Sequence, residues 1–186
     1  MKYFEKKELT KFFNILKKKA SIRDQALFNI MYWCGLRVSE LQLLNIESYN
    51  PDAHTIQTNR LKGGISNTIR LDSSRERLIR KYIKTRPDAL PYEPLFMSRE
   101  DSPVSRDMIF KLTKKYCEMA NIRPLSPHAF RHSIAVHLLD SEVPIYAVQN
   151  LLGHKNISST TKYLAFTTAQ NKLLFDKMIA SKNIAK

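Results

Sequence analysis

Apolar residues recur three and four apart along most of this chain, and that period divides it into helices. The first is a basic helix over residues 1–20. Phe4, Leu9, Phe12, Phe13 and Leu16 make its stripe, and Lys2, Lys6, Lys7, Lys11, Lys17, Lys18 and Lys19 coat the rest. Ser21 and Asp24 have the spacing of a capping box; the helix they open turns Leu27, Ile30, Met31 and Cys34 inward until Gly35 stops it. A short helix follows over Ser39–Asn45, and Asn50-Pro51-Asp52 is a turn. The period then changes to two. His54–Asn59 and Ile65–Leu71 alternate as strands, joined by Leu61-Lys62-Gly63-Gly64 into a mobile hairpin. Ser73 or Ser74 caps a basic helix that runs to about Thr85, where Pro87 ends it. Residues 87–103 are Pro-rich and irregular, with Leu95-Phe96-Met97 as a candidate edge strand. Ser105 opens a helix with Ile109, Leu112, Tyr116 and Met119 inward. Ser126 and Pro127 suit a helix cap and first position, and Pro144 starts a short amphipathic helix (Ile145, Val148, Leu151, Leu152) that Gly153 ends. A final helix from about Thr167 carries Leu173, Leu174, Phe175, Met178 and Ile179 on one face. The pattern predicts a mainly α fold with a small antiparallel β-sheet of two or three strands (α+β).

Composition narrows the class. At 186 residues and 43% hydrophobic, with one Trp and 17 other aromatics, the chain builds one folded domain over 1–186 and is not disordered. Lys and Arg number 31 against 17 Asp and Glu, a net charge of +14 spread along the whole chain. That is the footprint of a protein that sits on a polyanion, and double-stranded DNA is the expected partner. No segment has the broad apolar face and Trp anchors of a membrane-surface helix, and no apolar run is long enough to span a bilayer. Cys34 and Cys117 are far apart at apolar helix positions, so they read as core thiols in a reducing compartment, with a cytoplasmic, DNA-associated location. No cofactor and no metal are expected. There is no carboxylate cluster for Mg²⁺, and His128 and His132, though four apart, lack an intervening Glu and a third ligand for zinc.

The chemistry concentrates in Ser126–Tyr163. Helical counting puts His128, Arg131, His132 and Ala135 on one side, with Phe130, Ile134 and His137 toward the core. His154 follows the Gly153 helix stop, and Tyr163 lies nine residues further on in a turn of Ser and Thr. Imidazoles, a guanidinium and a phenol suit phosphoryl transfer better than a hydrolytic triad. Arg matches two phosphate oxygens at once, whereas a Tyr nucleophile, with a free pKa of about 10, needs cationic neighbours and a base.

His128–Ser133 (H-A-F-R-H-S), Leu151–His154 (L-L-G-H) and Tyr163 resemble the C-terminal box of the tyrosine recombinases, the phage integrase family. Gly35–Leu41 (G-L-R-V-S-E-L) is similar to the family's other box, and Arg60–Gly64 (R-L-K-G-G) to its hairpin lysine. The resemblance runs from about Leu27 to Tyr163 in the family's order. It implies the DNA breaking-rejoining catalytic fold and a site-specific recombinase of the integrase, excisionase or invertase kind. Tyr163 would attack a phosphodiester to leave a 3′-phosphotyrosyl link and a free 5′-hydroxyl, without ATP or metal. By the same resemblance, Arg37 and Arg131 clamp the non-bridging oxygens and His154 adds a hydrogen bond. Lys62 protonates the leaving 5′-oxygen, His128 takes the tyrosine proton, and Glu40 orients Arg37. Family hairpins often carry a further basic residue after the glycines; here Ile65 and Ser66 stand there, leaving Arg60 or Arg70 for DNA contact. The family's usual N-terminal helical domain is expected to be absent. A homotetramer is expected on paired DNA sites and a monomer in isolation, with accessory DNA-bending proteins among the partners. Residues 167–186 would form a C-terminal helix that docks on a neighbour or caps its own core. A type IB topoisomerase and a non-catalytic DNA-binding regulator are the rivals; the H-x-x-R box argues against the first and the complete residue set against the second.

Overall fold

The computed structural model describes residues 1–61, 63–98 and 102–167. Eight helices and a three-stranded sheet are formed by the described residues: α1 (Lys6–Lys19), α2 (Ile22–Trp33), α3 (Val38–Leu41), β1 (Tyr49–Asn50), β2 (Thr55–Thr58), β3 (Asn67–Arg70), α4 (Ser73–Ile83), α5 (Arg106–Met119), α6 (His128–Asp140), α7 (Ile145–Leu152) and α8 (Ser158–Thr161). Short 3₁₀ turns lie at Ile46–Ser48 and Leu164–Phe166.

Helix α6 is the axis of the core. Phe130 meets Phe4, Phe12 and Phe28 with ring centroids 4.6, 5.1 and 5.4 Å away, an aromatic cluster that ties α1, α2 and α6 together. Phe4 precedes α1, and its amide donates to Ser133 Oγ at 2.8 Å, pinning the leading segment onto α6. Helix α2 packs on α4 and α6, α6 on α7, and α7 on β3. Cys34 and Cys117 are buried free thiols, and burial pushes the Cys34 thiol up to about 12.

The sheet is antiparallel in the order β1-β2-β3, with Thr55 opposite Arg70 and Thr58 opposite Asn67. Its strands are shorter than the alternation predicts because the ladder ends at Thr58 and Asn67, and Ile65 and Asn67 bond to the end of α7 instead. Ile65 N donates to Gly153 O at 3.1 Å, and Asn67 Nδ2 to Asn150 O at 2.6 Å. The described part of the hairpin loop is therefore fastened to the end of α7, where a mobile tip was expected.

Three local expectations change. Leu95-Phe96-Met97 forms no strand: only single bridges occur, Asn45 with Pro94 and Met97 with Pro103, since each proline lacks the N–H a ladder needs. Asp72, not Ser73 or Ser74, caps α4, accepting from the amides of Ser74 and Arg75. Pro127 is already helical, and the first turn of α6 closes through Ala129 N to Ser126 O, with no side-chain cap. The C-terminal helix expected from Thr167 lies outside the described residues, as does Lys62.

Candidate active site

Two helix ends and a short helix start build the site. Helix α2 stops at Cys34, and Gly35 follows with φ of 56°; a side chain there would also press on Leu152, 2.7 Å from an added Cβ. Helix α7 stops at Gly153 in the same left-handed conformation. Both ends leave carbonyls that no helix turn uses, and two guanidinium groups take them. Arg131 donates to Gly35 O at 2.5 Å and Leu152 O at 2.8 Å. Arg60 donates to Cys34 O at 2.9 Å and to Leu151 O.

Glu40 lies at the centre with a side-chain exposure of 0%. The Arg37 amide donates to it at 2.8 Å, Arg37 Nη1 at 2.5 Å and Arg60 Nη1 at 3.0 Å, while Arg131 Nη1 stands 3.5 Å away. Burial alone would raise the Glu40 carboxyl; the Arg37 amide and the charges of Arg131 and Arg60 outweigh it and hold the group below the usual carboxylate range. Burial, then Arg37, pushes Arg131 down to about 10, which leaves it charged at neutral pH. Three arginines thus share one carboxylate, and the surplus positive charge needs an anion. Arg37 is the most open of the three at 27% side-chain exposure, and it lines a cleft of about 360 Å³ with Gly63, Gly64, His154 and Ser159.

His154 follows Gly153 and is buried, its Nδ1 2.8 Å from Thr160 Oγ1. Burial, then Arg131 and Arg37, pushes it down to about 4, so it is neutral at neutral pH. Its ring lies parallel to that of Tyr163, 6.4 Å between centroids and 2° between planes. Tyr163 is 1% exposed. Burial raises its phenol; Arg131 and Arg37 pull the other way.

Arg37, Glu40, Arg131, His154 and Tyr163 therefore meet in one place. Arg60 joins them from the inside. Its expected role in DNA contact is corrected, because its side chain is fully enclosed and bound to carbonyls and Glu40. Arg70 is exposed at the end of β3 away from the hairpin loop. His128 is the half-buried first residue of α6, close enough for its charge to bear on His132. Sequence reasoning missed one participant. His132 Nδ1 lies 3.2 Å from Tyr163 Oη, although the sequence suggested it only as a weak metal ligand. Its place on the Arg131 face of α6 was the available signal.

A family model described as the phage integrase family matches residues 2–170. Among curated relatives, tyrosine recombinase XerA of Pyrococcus horikoshii is 35% identical over 161 residues, covering 84% of this chain and 55% of that protein. Tyrosine recombinase XerD of Staphylococcus aureus is 34% identical over 167 residues, covering 87% and 56%. The chain thus spans about half the length of the curated relatives it matches. Among solved structures, XerA recombinase superposes with a TM-score of 0.80 at 19% identity, over 95% of this chain and 62% of the other. XerH recombinase, in a post-cleavage complex with a palindromic difH substrate, gives 0.81 at 21% identity, over 93% and 52%. These likenesses give the fold: a tyrosine recombinase catalytic domain, mostly helical with a small antiparallel sheet.

Proposed function

The chain belongs to the phage integrase family, and we propose from that premise that it is the catalytic part of a site-specific DNA recombinase acting through a 3′-phosphotyrosyl intermediate. The observation that carries this reading is the gathering of Arg37, Arg131 and two neutral imidazoles around the buried Tyr163, with the Glu40 carboxylate and Arg60 behind the arginines. Such a cluster is preorganised for a phosphate whose charge grows in the transition state.

Arg37 and Arg131 hold the non-bridging oxygens. His154, its Nδ1 engaged by Thr160, turns its other ring nitrogen to the same group. By the family resemblance Lys62 protonates the leaving 5′-oxygen, and Glu40 fixes the direction of Arg37 from behind. Phosphotyrosine keeps the energy of the broken bond, so a 5′-hydroxyl from the partner strand reseals the backbone without ATP. Arg70 is the remaining candidate for DNA-backbone contact. Four copies assemble on paired sites and single copies persist without DNA, with accessory DNA-bending proteins and a nucleoid location to match. Among the described residues no helix is long and apolar enough to cross a membrane.

The test uses nicked suicide duplexes whose sites are selected from random DNA by binding to the protein. An SDS-resistant protein–DNA adduct is expected, and its absence on every bound site would overturn the reading. Arg37→Ala is expected to slow adduct formation by about 10²–10³-fold, the cost of one preorganised donor. Its fold should persist, because Arg60 and Arg131 still face Glu40. Single-turnover kinetics with circular dichroism checks both halves.

A further inference from the structure

The phenol of Tyr163 lies between a cation and an imidazole. The charge of Arg131 acts on it, and a guanidinium cannot accept a proton from it. His132 Nδ1 can, and it stands 3.2 Å from Oη with the ring centroids 5.7 Å apart. Both groups are held. His132 rides in the middle of α6, next to Arg131, and Tyr163 is buried against His154.

We propose that His132 is the general base for the nucleophile, accepting the Tyr163 proton at Nδ1, a role the sequence suggested for His128. The inference rests on the recombinase reading above. In cleavage the Tyr163 Oη–phosphorus bond forms and the phosphorus–5′-oxygen bond breaks. The tyrosine proton passes to His132 Nδ1, and the 5′-oxygen takes one from Lys62. Rejoining runs the same transfers backward, so His132 returns its proton to Tyr163.

The charged and titratable groups around His132 suit this direction of transfer. His128 and Arg131 face it from α6, Tyr163 and Lys162 from the segment after α8, and the amino terminus from the leading segment. Burial, then Lys162, His128 and Arg131, pushes the imidazole down to about 4 in the free protein, so it stands ready as an acceptor at neutral pH. A DNA phosphate brought among these cations adds negative charge beside the ring and raises its proton affinity at the moment of reaction.

His132→Gln tests the role, because the amide oxygen still accepts a hydrogen bond from the phenol but cannot take its proton. On the suicide duplex the variant is expected to form adduct about 10²–10⁴-fold more slowly at pH 7. Its rate should climb roughly tenfold per pH unit toward alkaline pH as the phenol ionises without help, while the wild-type rate stays flat. His128→Gln should keep the flat profile. A His132→Gln rate equal to wild type, a slow but pH-independent one, or the alkaline climb appearing in His128→Gln instead would each overturn the proposal. A second measurement needs no catalysis: ¹⁵N-histidine NMR of the free protein. His132 is expected to carry its proton on Nε2, with Nδ1 shifting in Tyr163→Phe; a proton on Nδ1 in the wild-type protein overturns the inference. If the wild-type protein makes no adduct, the recombinase reading fails by itself, and the NMR result still decides whether His132 holds the phenol as an acceptor.

Discussion

Tyr163→Phe abolishes the SDS-resistant adduct while leaving DNA affinity and the fold intact: that is the expected result, and it is the largest effect on activity that any single oxygen in this protein can have. The substitution deletes only Oη. The ring keeps its parallel contact with His154 and its burial, so the packing hardly changes. The cost to stability is one hydrogen bond to His132, about 1 kcal/mol. The arginine cluster that would meet the phosphate is untouched, so binding should persist. The buried tyrosines Tyr32, Tyr49, Tyr82 and Tyr116 are engaged elsewhere. Tyr32 hydrogen-bonds His137, Tyr49 donates to Glu76, Tyr116 donates to Asp24, and Tyr82 stacks on Phe96, each away from the cluster. Gel mobility of the bound duplex, beside denaturing gels of the same samples, separates binding from cleavage. An adduct in the phenylalanine protein at anything near the wild-type level would place the nucleophile on another residue.

The sequence makes legible whatever depends on neighbours in the chain. Gly35 and Gly153 end helices because their left-handed conformations are cheap only for glycine, and that rule needs no tertiary knowledge. Arg131 and His154 could be placed for the same reason, one on a helix face and one just past a helix stop. What stayed hidden depends on distant partners. The interior position of Arg60 requires carbonyls from Cys34, Gly35 and Leu151, contributed by the ends of two helices far from it in sequence, and a carboxylate from Glu40. A loop arginine is ordinarily a surface residue, so nothing local distinguishes it. His132 was on the correct face, but its partner is 31 residues away. The strand expected at Leu95 failed for a reason the sequence did contain, since Pro94 and Pro103 cannot donate to a ladder.

The other large effect is on stability, and it falls on a carboxylate enclosed behind the arginines. Glu40→Gln keeps the shape of the side chain and removes the one negative charge that, among the described residues, pairs with Arg37, Arg60 and Arg131. Breaking a buried ion pair by neutralising one partner costs about 3–5 kcal/mol, because the cations left behind remain desolvated. Three cations share this carboxylate, so the loss should be at the upper end of that range in urea unfolding at pH 7. The pH dependence has a definite sign. The folded protein holds the Glu40 carboxyl below its ordinary value near 4.5, so its contribution is complete above that pH and disappears as pH falls through the lower, folded value. The gap between the wild-type and Gln proteins should therefore be widest at neutral pH and close in acid. An anion in the cleft supplies the missing counter-charge, so added inorganic phosphate should stabilise the Gln protein more than the wild type. Equal urea midpoints for the two proteins at pH 7, with and without phosphate, would mean that the arginines hold their positions by the helix-end carbonyls alone. Glu40 would then have no part in setting up the anion site.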